Sequence, residues 1–210
     1  MEPDFSYLHS IFAPPSSLTP QPLYGSFYPV PKRSVFVSYH HGLDRQWYQE
    51  FSRFFCEMYD VFDDTSPERA KDSDDTDYIM WSLRNEHIKG SSCTIVLCGA
   101  ETGRRKFVDW EIAATLDKEH SLIGVRLPTC TFDYHRRALV PGRLHDNIES
   151  GYAVWIMWEA LAKGRPDFLR ALIEIASKNS TSLIRNDRQK MGRCMPSLPS
   201  IFQRPRGPLG

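Results

Sequence analysis

Ser91–Leu127 reads SSCTIVLCGAETGRRKFVDWEIAATLDKEHSLIGVRL. Its first apolar run, Cys93–Leu97, is rich in β-branched residues, too short for a helix of its own, and closed by Gly99. With no alternation of polar and apolar positions, it reads as a strand buried on both faces. A polar turn from Glu101 to Lys106 follows, then an amphipathic stretch over 107–116 and a second short apolar run, Leu122–Leu127. Strand, helix, strand is the parallel crossover unit, so the pattern predicts a parallel sheet covered by helices. Ligands of such sheets sit at the carboxyl ends of the strands. Any site therefore belongs on the loop after Leu97 and at the start of the helix carrying Trp110 and Glu111.

The flanking sequence extends the same alternation. Ser34–Tyr39 (SVFVSY) reads as the first strand, His40–Gly42 as a turn, and Asp44 as a helix cap. Trp47, Phe51, Phe54, Phe55 and Met58 recur at helical spacing and form one wide apolar face, which is a core stripe. A short second strand is expected over 60–62, followed by an acidic loop with Asp63, Asp64, Glu68, Asp72, Asp74 and Asp75. That loop lacks the alternating ligands and central glycine of an EF-hand, so it reads as solvated. A second helix is expected from about Thr76 to Gly90, with Ile79, Leu83 and Ile88 inward. After Leu127 the chain reads as irregular through the polar cluster Arg143–Asn147. Gly151–Trp158 reads as a last strand, with a buried helical turn as the alternative, and Pro166 opens a closing helix with Leu169, Leu172, Ile173 and Ala176 inward. Four to five strands alternating with helices give an α/β, flavodoxin-like three-layer sandwich, a parallel sheet flanked by helices. The organisation is a Pro- and aromatic-rich extension over 1–32, the domain over 33–180, and a polar, Pro-rich tail over 181–210.

Composition narrows the class. Lys+Arg and Asp+Glu both number 26, so charge points neither to nucleic acid nor to an anionic membrane. No apolar run approaches the roughly 18 residues of a membrane span, and the start of the chain lacks a secretory pattern. The five cysteines are odd in number and scattered, without CxxC. Reduced thiols in a cytoplasmic protein are expected, with no metal site.

Two stretches carry a resemblance. SVFVSYHHGLDRQW resembles the first strand and loop of TIR domains, with an apolar strand ending in Ser-Tyr and an acidic residue soon after. IKGSSCTIVLCGAETGRRKFVDWEI is similar to the TIR run of small residues, core strand, short loop and helix start. With PGRLHDNIESGYAVW, the chain resembles the TIR-like branch typified by the ThsB sensors of the Thoeris antiphage system, over about Lys32–Trp158. The resemblance implies cleavage of the nicotinamide–ribose bond of NAD to make a cyclic ADP-ribose-type signal. NAD would be the substrate and no cofactor would be needed. The implied partners are further copies of the chain and a separate effector reached through a nucleotide messenger. By its place in FVDWEI, Glu111 corresponds to the catalytic glutamate.

The other expected site residues are softer readings of the same sheet edge. Phe36, Ser38, Tyr39 and His40 end the first strand there, where an aromatic can stack on a base or nicotinamide ring. Phe36 reads equally well as core, Asp44 as a cap or a ligand contact, and Trp110 as pocket wall or core. Without a GxGxxG motif, a dinucleotide would not be held in the Rossmann manner. Two other readings stand beside catalysis on NAD: a non-catalytic TIR module working by self-association or docking, and another nucleotide-processing enzyme on this fold.

Overall fold

The computed structural model describes residues 33–57, 59–63 and 87–194. The 1–32 extension, most of the acidic loop, the start of the second helix and Met58 lie outside the described residues, as does everything beyond Cys194.

Five strands form one sheet: β1 (Arg33–Ser38), β2 (Tyr59–Asp63), β3 (Cys93–Cys98), β4 (Ser121–Arg126) and β5 (Val154–Met157). Their order is β2-β1-β3-β4-β5, and every neighbouring pair is parallel. The flavodoxin-like α/β architecture expected from the alternation of runs is the one observed. β3 is central, and all six of its residues are buried, as an unbroken apolar run between two helical layers requires.

Successive side chains of a strand face opposite layers. Val35, Val37, Tyr39, Ile95, Leu97, Ile123 and Val125 share one core cluster with α1 (His41–Phe55), α4 (Trp158–Lys163) and α5 (Arg165–Lys178). Val96, Cys98 and Leu122 face the other layer, where α2 (Lys106–Asp117) supplies Val108, Ile112 and Leu116, and α3 (Gly142–Glu149) supplies Leu144. Gly124 of β4 makes room for an aromatic there, since a Cβ would stand 2.6 Å from the Trp155 ring.

Several expectations need correcting. The stretch read as irregular contains α3, an eight-residue helix whose buried residues are Arg143, Leu144 and Asn147. Its inward face is largely polar, so it carries little of the apolar periodicity by which helices are recognised. The last strand is confined to Val154–Met157, and Trp158 opens α4. Phe51 and Phe55 are buried, but Phe54 is 40% exposed. It lies one step off the buried stripe of α1, with the Arg53 guanidinium 5.2 Å from its ring centre.

The segment read as a tail begins with a short 3-10 turn, Thr181–Leu183, and then runs across α2 and α3 as far as Met191. Polar contacts hold this strap, for which no apolar repeat exists in the sequence. Among the described residues no helix is long and apolar enough to cross a membrane, and no cluster of His, Cys, Asp or Glu could hold a metal ion.

Candidate functional site

In this strand order the connections diverge between β1 and β3, since the chain leaves β1 for β2 on one side and returns to β3 on the other. The carboxyl ends of these two strands therefore frame a crevice, the usual ligand position of an open parallel sheet. Ser38 closes β1 beside Val96 of β3, and α2 crosses the crevice on the same face.

Strand and helix periods together place the central pair. Phe36 and Ser38 lie two residues apart on one face of β1, while Glu111 and Ala114 lie about one turn apart on α2. Phe36 meets Ala114 and Ile88 in a small core cluster. One step nearer the carboxyl edge, the Ser38 hydroxyl donates to Glu111 Oε2 at 2.5 Å. Glu111 is 4% exposed, so this contact fixes the carboxylate within the crevice. Below it, Thr115 Oγ1 lies 2.7 Å from Thr94 Oγ1 and donates to the Glu111 carbonyl oxygen at 2.8 Å. α2 is thus keyed to β1 by the Ser38 contact at the glutamate itself and to β3 by the Thr115–Thr94 contact one turn later.

A second polar group lies at the same edge. The Asp44 carboxylate, on the first turn of α1, is fully buried and accepts from Thr102 at 3.0 Å and from Thr129 at 3.5 Å. It packs so closely on the Gly99 backbone that a Cβ at that position would collide with the carboxylate oxygens. Thr102 also accepts from the Gly99 N–H at 2.8 Å. Asp44 therefore ties α1 to the loops after β3 and β4. Burial pushes its pKa up to about 7, against lesser stabilisation of the charged form by Thr102, Thr129 and Arg105. Next to it, the buried Glu101 carboxylate is paired with Arg105, and burial holds the Cys98 thiol well above its ordinary range.

The remaining expected site residues disperse. His40 is the cap of α1: its Nδ1 accepts from the Leu43 N–H at 2.9 Å, the place expected for Asp44. Tyr39 faces the opposite layer and stacks with His41 and Tyr48 at centroid distances of 4.4 and 4.7 Å. Phe36 is fully buried in the core and presents no ring face for stacking on a ligand. Trp110 points away from the sheet and donates from Nε1 to the Met191 carbonyl at 2.8 Å, so it holds the strap. Thr94 and Thr115 escape a reading of sequence, because a threonine within an apolar run looks like any other β-former until its partner is known, and Thr102 and Thr129 because they lie in loops whose approach to Asp44 only the fold creates.

Residues 36–131 match the family model of the Thoeris protein ThsB, TIR-like domain. Over this segment the chain is similar to the TIR-like domain of ThsB. The match takes in Ser38, Asp44, Thr102 and Glu111, the groups gathered at the crevice. No curated protein matches the chain. Among solved structures, it is similar to the TIR domains of the activated Roq1 resistosome directly recognizing the pathogen effector XopQ. The identity is 16%, over 70% of this chain and 86% of that one, with a TM-score of 0.36.

Proposed function

We propose that this ThsB-type TIR-like domain consumes NAD, breaking the nicotinamide–ribose bond to make a cyclic ADP-ribose-type signal for antiphage defence, with Glu111 as the catalytic residue. The single observation that carries the reading is a buried carboxylate, anchored by Ser38 at 2.5 Å, at the carboxyl-edge crevice between β1 and β3. The family match adds the expectation of NAD as substrate. When the C–N bond breaks, its electron pair leaves with neutral nicotinamide, and the ribose becomes electron-poor and oxocarbenium-like. A fixed carboxylate beside that carbon stabilises the developing positive charge without reorganising. A nucleophile from the same molecule then bonds to the ribose carbon and loses its proton, giving a cyclic product; water in its place gives hydrolysis. The signal would act on a separate effector.

Incubating the purified protein with NAD, alone and with lysate from phage-infected cells, tests this directly. Release of nicotinamide with a cyclic or linear ADP-ribose product supports it. Intact NAD in both arms contradicts it and favours a non-catalytic module.

A further inference from the structure

On the side of α2 away from the sheet, the strap over 184–191 is held by groups that the site does not use. Arg143 of α3, 1% exposed, is among the largest fully buried side chains. Its Nε donates to Asp109 Oδ1 at 3.1 Å, its Nη1 to Asn186 Oδ1 at 2.6 Å, and its Nη2 to the Arg188 carbonyl at 2.8 Å. Asp109 Oδ2 in turn accepts from the Met191 N–H at 3.0 Å. Asn186 Nδ2 donates to the Ala113 carbonyl and to Asp117, at 3.1 and 2.6 Å. Asn147 donates to the Arg185 carbonyl and accepts from the Arg185 N–H. These strap contacts fall on Asp109, Trp110, Ala113 and Asp117 of α2. Asp109 and Glu111 are two residues apart, about 200° around the helix, so α2 is gripped outside by the strap and inside by Ser38 and Thr94.

We propose that the strap is an outer clamp that fixes α2 on the sheet, and that Arg143 is a positioning residue for Glu111. The proposal rests on the catalytic reading of Glu111 for its activity arm only. Arg143 is suited to the role because its planar fork reaches Asp109, Asn186 and the Arg188 carbonyl from three separate nitrogens, a spread that the single nitrogen of a lysine does not reproduce. Misplacing a catalytic group by about 1 Å typically costs up to about 10²-fold in rate.

The test uses the full chain and the variants Arg143→Lys, Asn186→Ala and, as control, Arg185→Ala, whose exposed side chain donates to the Ile184 carbonyl within the strap. Amide hydrogen exchange is followed in α2 and α5, and nicotinamide release from NAD is followed at a temperature where thermal unfolding shows every variant folded. Arg143→Lys and Asn186→Ala are expected to speed exchange in α2 but not in α5, and to lower kcat at least about ten-fold with KM unchanged. Arg185→Ala is expected to match wild type. Exchange in α2 as slow as in wild type, or an unchanged kcat, overturns the proposal. If wild type itself releases no nicotinamide, the catalytic reading falls separately, and the exchange arm decides the clamp: selective loosening of α2 supports it and no change overturns it.

Discussion

At Asp44 and Ser38, single side chains determine measurable behaviour. Asp44 holds its proton in the folded state up to about pH 7, whereas the unfolded chain releases it near 3.8. Between those values unfolding releases a proton, so this group makes stability fall as pH rises, by ~1.4 kcal/mol per pH unit across the window. Thr102 accommodates either form, since its hydroxyl lies 3.0 Å from Asp44 and 3.3 Å from the Leu97 carbonyl. Asp44→Asn is neutral throughout, so its stability in urea unfolding should be flatter between pH 4 and pH 7 and exceed wild type most at the upper end. An unchanged slope would show that another group sets the dependence. Ser38→Ala removes the hydrogen bond that fixes Glu111. Hydrogen bonds to charged groups are worth about 1.5–3 kcal/mol, so nicotinamide release should fall roughly ten- to hundred-fold while the thermal transition stays cooperative. Wild-type turnover in that variant would remove Ser38 from the mechanism.

At the seam between α2 and β3, the two threonine hydroxyls are unequal. Removing the Thr94 hydroxyl leaves Thr115 bonded to the Glu111 carbonyl, whereas removing the Thr115 hydroxyl strands a buried one on Thr94. Thr115→Val should therefore cost about 1–3 kcal/mol in urea unfolding and Thr94→Val less. The double variant should recover part of the loss, because two apolar groups then replace both partners. Additive losses would mean that the pair is not coupled. This seam, like α3 and the strap, shows where sequence reading stops. β3, α2 and β4 were legible because burial on both faces forces an unbroken apolar run and helix burial forces a 3.6-residue repeat. Arg143 and Asn147 bury a helix through hydrogen bonds, and a buried arginine looks in sequence like an exposed one until its acceptors on Asp109, Asn186 and Arg188 are brought together. The place of Glu111 at the sheet edge was legible from the strand, turn and helix start around it. Asp44 was legible as an acid near the first strand, but its burial beneath Gly99 depends on a loop some 55 residues away.

For the molecule as a whole, the polar strap should matter as much as an apolar element. Ending the chain after Ser180 removes the Asn186 and Arg188 acceptors of Arg143 and leaves its guanidinium with Asp109 as its remaining side-chain partner. With each hydrogen bond to a charged group worth about 1.5–3 kcal/mol, losing these two should cost at least about 3 kcal/mol in urea unfolding. A truncated chain as stable as the full one would show the strap to be dispensable. On the proposed reading, the arrangement from switch point to strap serves one carboxylate. Glu111→Gln keeps the size and helix propensity of the residue and removes its charge, while Glu119→Gln makes the same change at an exposed position beyond the end of α2. The most direct measurement is nicotinamide release from NAD by wild type and these two variants, each confirmed folded by its thermal transition. A fall of about 10²–10³ is expected for Glu111→Gln and a near wild-type rate for Glu119→Gln; a Glu111→Gln protein that releases nicotinamide at the wild-type rate would rule out Glu111 as the catalytic residue.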